Sequence, residues 1–215
     1  MSIVFYGGSG SPFVWTVWLA LEHKGLDYDI KLLSFEKKQT RTPEFIAINP
    51  RHKVPTLVDN EFVIYEASAI VEYLEERFPS AGYGTLFPGD IKQRATTRRV
   101  IAEVNNYMPQ VTGKLLKEIF FKPEGEQNAE LITQIQQEYL EQLAFFEALL
   151  HGKFLVGQLS AADYTLYPQI ALALRLEKQN PSFALSTHLS DRWLQWLENI
   201  EQLPYYQKTY PPHWK

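Results

Sequence analysis

Ile3-Val4-Phe5-Tyr6-Gly7-Gly8-Ser9-Gly10-Ser11-Pro12-Phe13 is the stretch on which the fold turns. An apolar, β-prone run is stopped by two glycines, and Ser11 then stands as a helix N-cap with Pro12 at the first helical position. Phe13, Val17, Ala20 and Leu21 follow at helical spacing, and Gly25 ends the pattern. Outward from this strand-turn-helix, Leu26 to Leu33 alternates imperfectly in strand fashion. A strand, a crossover helix and a second strand make the two strands parallel. Thr56 to Val58 and Phe62 to Ile64 flank Asp59-Asn60-Glu61 and read as a hairpin with a short polar turn. A helix carrying Ile70, Tyr73, Leu74 and Phe78 on one face follows, with Pro79 as its stop. The stretch between residues 34 and 55 reads as irregular. The first 79 residues therefore predict a mixed four-stranded sheet with helices on its faces.

Ser80 to Gly89, with its glycines and Pro88, reads as a linker. Beyond it the periodicity is helical throughout. Asp90 caps a long helix with Ile101, Val104, Met108, Val111 and Leu115 on one stripe, Pro109 as a kink, and Pro123 and Gly125 as its end. Ile132, Ile135, Tyr139, Leu143, Phe146 and Leu150 stripe the next helix, which stops at Gly152. Tyr167, Ile170, Ala171 and Leu174 mark another, and Trp193, Leu194, Trp196 and Leu197 a shorter one. The fold class is α/β plus all-α, divided into a domain over 1–79, a linker over 80–89 and an all-helical domain over 90–215.

The 215 residues are 45% hydrophobic and 21% charged, and no apolar run approaches the ~18 residues that span a bilayer. A membrane partner is not expected, and the N-terminus reads straight into a strand with no secretory signal, which makes the cytoplasm the expected address. A net charge of -4 with no basic block argues against nucleic acid. Most restrictive is the absence of cysteine, which removes disulfides, thiolate metal sites and cysteine nucleophiles together. Any sulfur chemistry must use sulfur brought by a ligand. The nearest two of the five histidines, His188 and His213, are 25 residues apart, so none form a local metal-ligand pair.

Three constellations could carry chemistry. The Gly7-to-Pro12 turn brings hydroxyls and free amides to the positive end of a helix, where an anion is favoured, although an ordinary glycine turn with an N-cap serine has the same letters. His52-Lys53-Val54-Pro55-Thr56-Leu57 sets a proline just before a strand. A cis bond there would turn the Val54 amide and carbonyl outward to pair with an extended ligand. Only about 5–6% of X-Pro bonds are cis, so the residues alone favour trans. Glu66-Ala67-Ser68-Ala69-Ile70 offers a carboxylate and a second set of helix amides, or simple capping. Ser160-Ala161-Ala162-Asp163 has capping-box spacing and reads as structural.

Taken together, Ser11-Pro12-Phe13, Val54-Pro55, the run from Glu66 to Leu74 and Phe154-Leu155-Val156-Gly157-Gln158-Leu159-Ser160-Ala161-Ala162-Asp163 resemble the cytosolic glutathione S-transferases of the serine type. The resemblance covers nearly the whole chain and rests on four motifs in order. It implies a thioredoxin-like N-terminal domain that binds glutathione, a helical domain supplying most of the electrophile pocket, and a homodimer. It further implies a cis Pro55, Val54 pairing with the cysteinyl backbone, Glu66 and its neighbours Ala67 and Ser68 at the γ-glutamyl end, and His52 and Lys53 near the glycine carboxylate. Phe13 joins these as a glutathione contact. The family pattern has serine where this chain has Ala67, so one hydroxyl contact is missing.

What the resemblance implies chemically is conjugation of the glutathione thiolate to small hydrophobic electrophiles in detoxification. Glutathione is then a co-substrate, with no permanently bound cofactor and no metal. The hydroxyl that steadies the thiolate is Ser11, with Ser9 and Tyr6 as alternatives. Tyr107, Val111 and Tyr164 are candidate walls of the electrophile site. Peroxidase, isothiocyanate-conjugating, isomerase and dehalogenase activities would use the same site. A catalytically silent binding protein is the alternative reading, favoured slightly by Ala67.

Overall fold

The computed structural model describes residues 2–123 and 125–214. It divides the chain into two compact units, one formed by residues 2–87 together with 204–214 and the other by residues 88–203. The last residues thus group with the N-terminal part, an association that helical periodicity did not indicate.

The first unit runs β1 (Ile3–Gly7), α1 (Pro12–His23), β2 (Asp29–Leu32), α2 (Pro43–Ile48), β3 (Thr56–Asp59), β4 (Phe62–Tyr65) and α3 (Ala67–Arg77). The sheet order is β2-β1-β3-β4. β1 lies parallel to β2 and antiparallel to β3, and β3 pairs antiparallel with β4, the mixed sheet that the sequence predicts. The central strand β1 buries Ile3, Phe5 and Gly7, alternating with Val4 and Tyr6. α2 is an addition to the expected pattern. Thr42 caps it through the Phe45 amide and Pro43 opens it, but six residues are too few to display a period.

α1 is buried nearly all round, every residue from Val14 to His23 being enclosed. One side faces the sheet, where the Trp18 ring meets Phe5 edge-on at 6.5 Å. Another meets a short helix near the end of the chain. Trp15 donates to Thr209 Oγ1 at 2.9 Å, and its ring contacts Tyr206, Tyr210 and Trp214. Lys208 pairs with Glu22 at 2.8 Å.

Where α1 ends, Gly25 at φ +58 lies against Gly82 at φ +60. The Tyr83 amide donates to His23 O at 2.8 Å, and a Cβ on Gly82 would come within 2.2 Å of that oxygen. Beside this crossing Lys24, without side-chain exposure, pairs with Glu75 of α3 at 2.7 Å and donates to Gly84 O at 2.9 Å. Glu75 also accepts from the Leu86 amide and the Thr85 hydroxyl. Burial pushes its carboxyl up, but the bonds from Lys24, Thr85 and Leu86 outweigh this and hold it below its usual range. Burial, aided by the neighbouring Lys24 charge, lowers the enclosed His23 imidazole to about 4.

The second unit is helical: α4 (Ile91–Leu115), α5 (Ala129–Glu147), α6 (Ala161–Glu177) and α7 (Asp191–Glu201). α4 passes through Pro109 but stops at Leu115, where the chain widens into a π-helical turn over Leu116–Phe120, short of the expected end at Pro123. Among the described residues its strand content is one isolated bridge, His151 to Phe154. Its core holds Met108, Tyr139, Phe146, Tyr164, Tyr167, Trp193 and Trp196. At its heart the enclosed Asp163 accepts from the amides of Leu155 and Ser160, the Ser160 hydroxyl and Trp196 Nε1, at 2.8–3.0 Å. Burial still dominates and raises its carboxyl to about 6. A further short α-helix, α8 (Tyr206–Thr209), belongs to the first unit.

Candidate active site

The turn after β1 and the start of α1 form one wall of the site. Ser11 occupies the N-cap at φ -75 and ψ 123, and its side chain makes no capping bond. The Trp15 amide to Ser11 O, 3.0 Å, is the bond at which α1 begins. Pro12 has no N–H, so the amides of Phe13 and Val14 precede the ladder and α1 presents its positive end without a side-chain partner.

A second wall comes from the loop before β3. The Val54–Pro55 bond is cis. Buried Asn49 holds this loop, donating to Lys53 O at 2.8 Å and Thr56 Oγ1 at 2.9 Å and accepting from the Arg51 amide at 2.9 Å. The third wall is the start of α3. Glu66 sits at φ 75 and ψ 118, a backbone region costly for a non-glycine residue, and makes no capping bond. The Ile70 amide to Glu66 O closes the first turn at 2.9 Å, leaving the amides of Ala67, Ser68 and Ala69 ahead of it.

Between these walls lie two adjoining hollows. A groove of about 620 Å³ is lined by Ser11, Phe35, Thr40, Arg41, Ile46, Arg51, His52, Lys53 and Val54. A recess of about 130 Å³ is lined by Phe13, Asn49, Lys53, Val54, Pro55, Tyr65, Glu66 and Ala67. Lys53 and Val54 border both. The groove has three full cations and no acid in its lining, whereas the recess holds the Glu66 carboxylate. A molecule anionic at one end and bearing an ammonium at the other matches that polarity.

The structure thus brings Ser11, Phe13, His52, Lys53, Val54, Pro55, Glu66 and Ala67 together. Ser68 lies half-buried in the first turn of α3, outside both hollows. Of the alternative hydroxyls, Ser9 is bonded to His213 Nδ1 at 2.5 Å. Tyr6 packs on Phe45 of α2 at 5.6 Å, with Lys31 Nζ 3.5 Å from its hydroxyl, and lines neither hollow. In the second unit Tyr107 is exposed and Val111 buried, while Tyr164 has no exposed surface and so presents nothing to a ligand. Sequence reasoning missed Arg41, Asn49 and Arg51, which the Thr42-Pro43 helix start folds back, and Tyr65 at the end of β4. Among the described residues no group of acidic side chains and histidines could hold a metal ion, and no helix is long and apolar enough to cross a membrane.

The family model described as glutathione S-transferase, N-terminal domain, matches residues 10–77, the span that contains the starts of α1 and α3 and the loop before β3. Glutathione S-transferase 1 of Dianthus caryophyllus is 32% identical, over 89% of this chain and 86% of its own length. The chain belongs to the glutathione S-transferase family. A zeta-class transferase of Euphorbia esula is likewise 32% identical, over 91% of this chain and 84% of that protein. A crystal structure of a glutathione S-transferase from the Antarctic clam Laternula elliptica superposes on the whole chain, 94% of its own, with TM-score 0.78 at 30% identity. The transferase fold is therefore a thioredoxin-like sheet domain followed by a helical region, and in this transferase the uncapped starts of α1 and α3 both belong to the thioredoxin-like part.

Proposed function

We propose that the chain binds glutathione across the two hollows and adds its thiolate to small hydrophobic electrophiles. The observation that carries this reading is the pair of helix starts, α1 and α3, left without side-chain caps at the borders of hollows of graded charge. Glutathione has the matching polarity. Its glycine carboxylate fits the end bearing Lys53, Arg41, Arg51 and His52, and its ammonium fits Glu66. The γ-glutamyl carboxylate fits the amides of Ala67 and Ser68, which need no hydroxyl from residue 67. The cysteinyl backbone fits the Val54 amide and carbonyl beside the cis bond, pairing with them in strand fashion ahead of β3.

The thiol then falls to Ser11. A free thiol has pKa about 8.5, so a fall of about 2 units requires about 2.7 kcal/mol of preference for the thiolate. A hydroxyl donating to it contributes about 1.5–3 kcal/mol and the α1 dipole about 0.3–1, which together suffice. The proton passes to solvent, the sulfur attacks electrophilic carbon, and an aryl halide loses halide as the C–S bond forms. Retention on immobilised glutathione, together with turnover of an activated aryl halide, tests the reading; failure of both would reject it. Peroxide reduction and addition to isothiocyanates draw on the same thiolate, and a panel of electrophiles ranks them. Exposed Phe62 and Val63 on the edge strand β4 support a homodimer as the working assembly.

A further inference from the structure

The Ser9 hydroxyl, one residue from Gly10 and two from Ser11, is occupied by a side chain from the far end of the sequence. His213 Nδ1 lies 2.5 Å from Ser9 Oγ. The segment carrying it is fixed on α1 by Trp15 to Thr209 and by the rings of Trp15, Tyr210 and Trp214. Gly10, at φ +81, lies directly beneath: a Cβ there would come within 2.9 Å of the His213 ring and 3.3 Å of Trp214 Nε1. Within the turn, the Ser11 amide donates to Gly8 O at 3.2 Å. His213 is exposed while the neighbouring Trp214 is buried, so what the His213 ring adds to this contact is its bond to Ser9.

We propose that His213 is a positioning residue for thiol activation: by engaging the Ser9 hydroxyl it pins the turn from Gly8 to Ser11, and so fixes the Ser11 hydroxyl at the groove. This rests on the reading that Ser11 steadies the thiolate. It also divides the labour between the two serines, one holding the turn and the other facing the ligand. The Ser9 hydroxyl is engaged by His213 whichever of the two carries the shared proton, whereas the Ser11 side chain makes no capping bond and lines the groove.

The test is a cycle of Ser9→Ala, His213→Ala and the double variant, assayed with glutathione and an activated aryl halide. Small displacements of a catalytic group are costly, so each single variant should lose about 3-fold to 10-fold in kcat. The glutathione dissociation constant should move less than about 2-fold, since lost positioning spares ground-state binding. The double variant should lose no more than either single one, as expected of residues acting as a unit. His213→Asn, whose amide reaches the place of Nδ1, should restore the rate, and the melting midpoint should stay constant throughout. Additive losses, a Ser9→Ala variant of full activity, or no recovery with asparagine would overturn the proposal. Ser11→Ala, read by the ultraviolet absorbance of bound thiolate, separates the two levels. Unchanged ionisation there removes the underlying reading, whereas additive Ser9 and His213 losses beside an impaired Ser11→Ala remove only the role of His213.

Discussion

The two units treat the beginnings of their long helices in opposite ways. In the helical unit each of α4, α5, α6 and α7 is closed by a side chain: Asp90, Asn128, Ser160 and Ser190 accept from amides of the first turn, and Asp90 and Ser160 complete capping boxes. In the sheet unit the long helices α1 and α3 carry Ser11 and Glu66 at the same position, and neither side chain caps. Residue type does not separate the cases, because serine caps α6 and α7 and leaves α1 open. Tertiary placement does: Ser160 and Ser190 face their own helix, whereas Ser11 and Glu66 border hollows. A capped helix start stores its electrostatics internally, and an open one keeps them for a ligand.

Removing the strongest closure gives the largest expected effect. Asp163→Ala strands the amides of Leu155 and Ser160 and the Trp196 indole N–H. At about 1–3 kcal/mol per buried unsatisfied group, the helical unit should lose about 3–5 kcal/mol in urea denaturation. A loss below about 1 kcal/mol would mean that closure is not what holds this unit.

Acid should pull the units apart. His23, lowered from 6.5 to about 4, stays neutral in the folded state while the unfolded chain takes up a proton, so the sheet unit loses about 3 kcal/mol as pH falls from 6.5 to 4. Asp163, raised from 3.8 to about 6, is protonated first in the folded state, so the helical unit gains a similar amount between pH 6 and 3.8. Glu75, and Glu118 of the helical unit, which the Lys122 ammonium at 2.7 Å holds low, act with the same sign in either unit and do not cancel this contrast. Hydrogen exchange followed peptide by peptide should show the sheet unit opening first. Simultaneous loss of protection would refute the asymmetry.

Open starts should respond in function rather than stability. Ser11→Ala should cut turnover ~10-fold to 100-fold and raise the pKa of bound glutathione while binding changes little. Glu66→Ala should weaken glutathione ~10-fold to 150-fold by calorimetry, with turnover at saturation much less affected. Unaltered constants in both would reduce these residues to ordinary helix ends. The smallest effect is the control: Ser190→Ala should cost ~1 kcal/mol of stability with full activity, whereas Ser11→Ala, which loses no cap, should cost less than ~0.5.

What the sequence made legible was local. The β1 turn into α1, the hairpin and the capping box of α6 are each written in neighbouring letters, and Ser11, Val54 and Glu66 followed once those motifs were set in order. α2 stayed hidden because only Thr42-Pro43 announces it. Arg41 and Arg51 were missed because two loop arginines have no pattern until a chain reversal brings them to one groove. The attachment of residues 204–214 is a long-range fact that no local period carries; Trp15, Trp18 and Leu19 make α1 apolar outside its expected stripe, as a helix enclosed on several sides requires, but do not say what encloses it. Tyr164 shows the converse, since an aromatic at a helix start reads equally as pocket wall or core.

The crossing of Gly25 and Gly82 has a consequence for how such a chain can vary over generations. The atoms that would meet a new Cβ at position 82 are main-chain atoms, His23 O, Lys24 C and Gly25 N, at 2.2–2.7 Å. No exchange of side chain elsewhere can make room, since backbone is common to every residue. Position 82 is therefore one that drift cannot explore, whereas a Cβ at Gly25 would meet Gly82 Cα only at 3.3 Å. Because position 82 cannot answer a change at position 25, correlated substitution would never reveal that they touch.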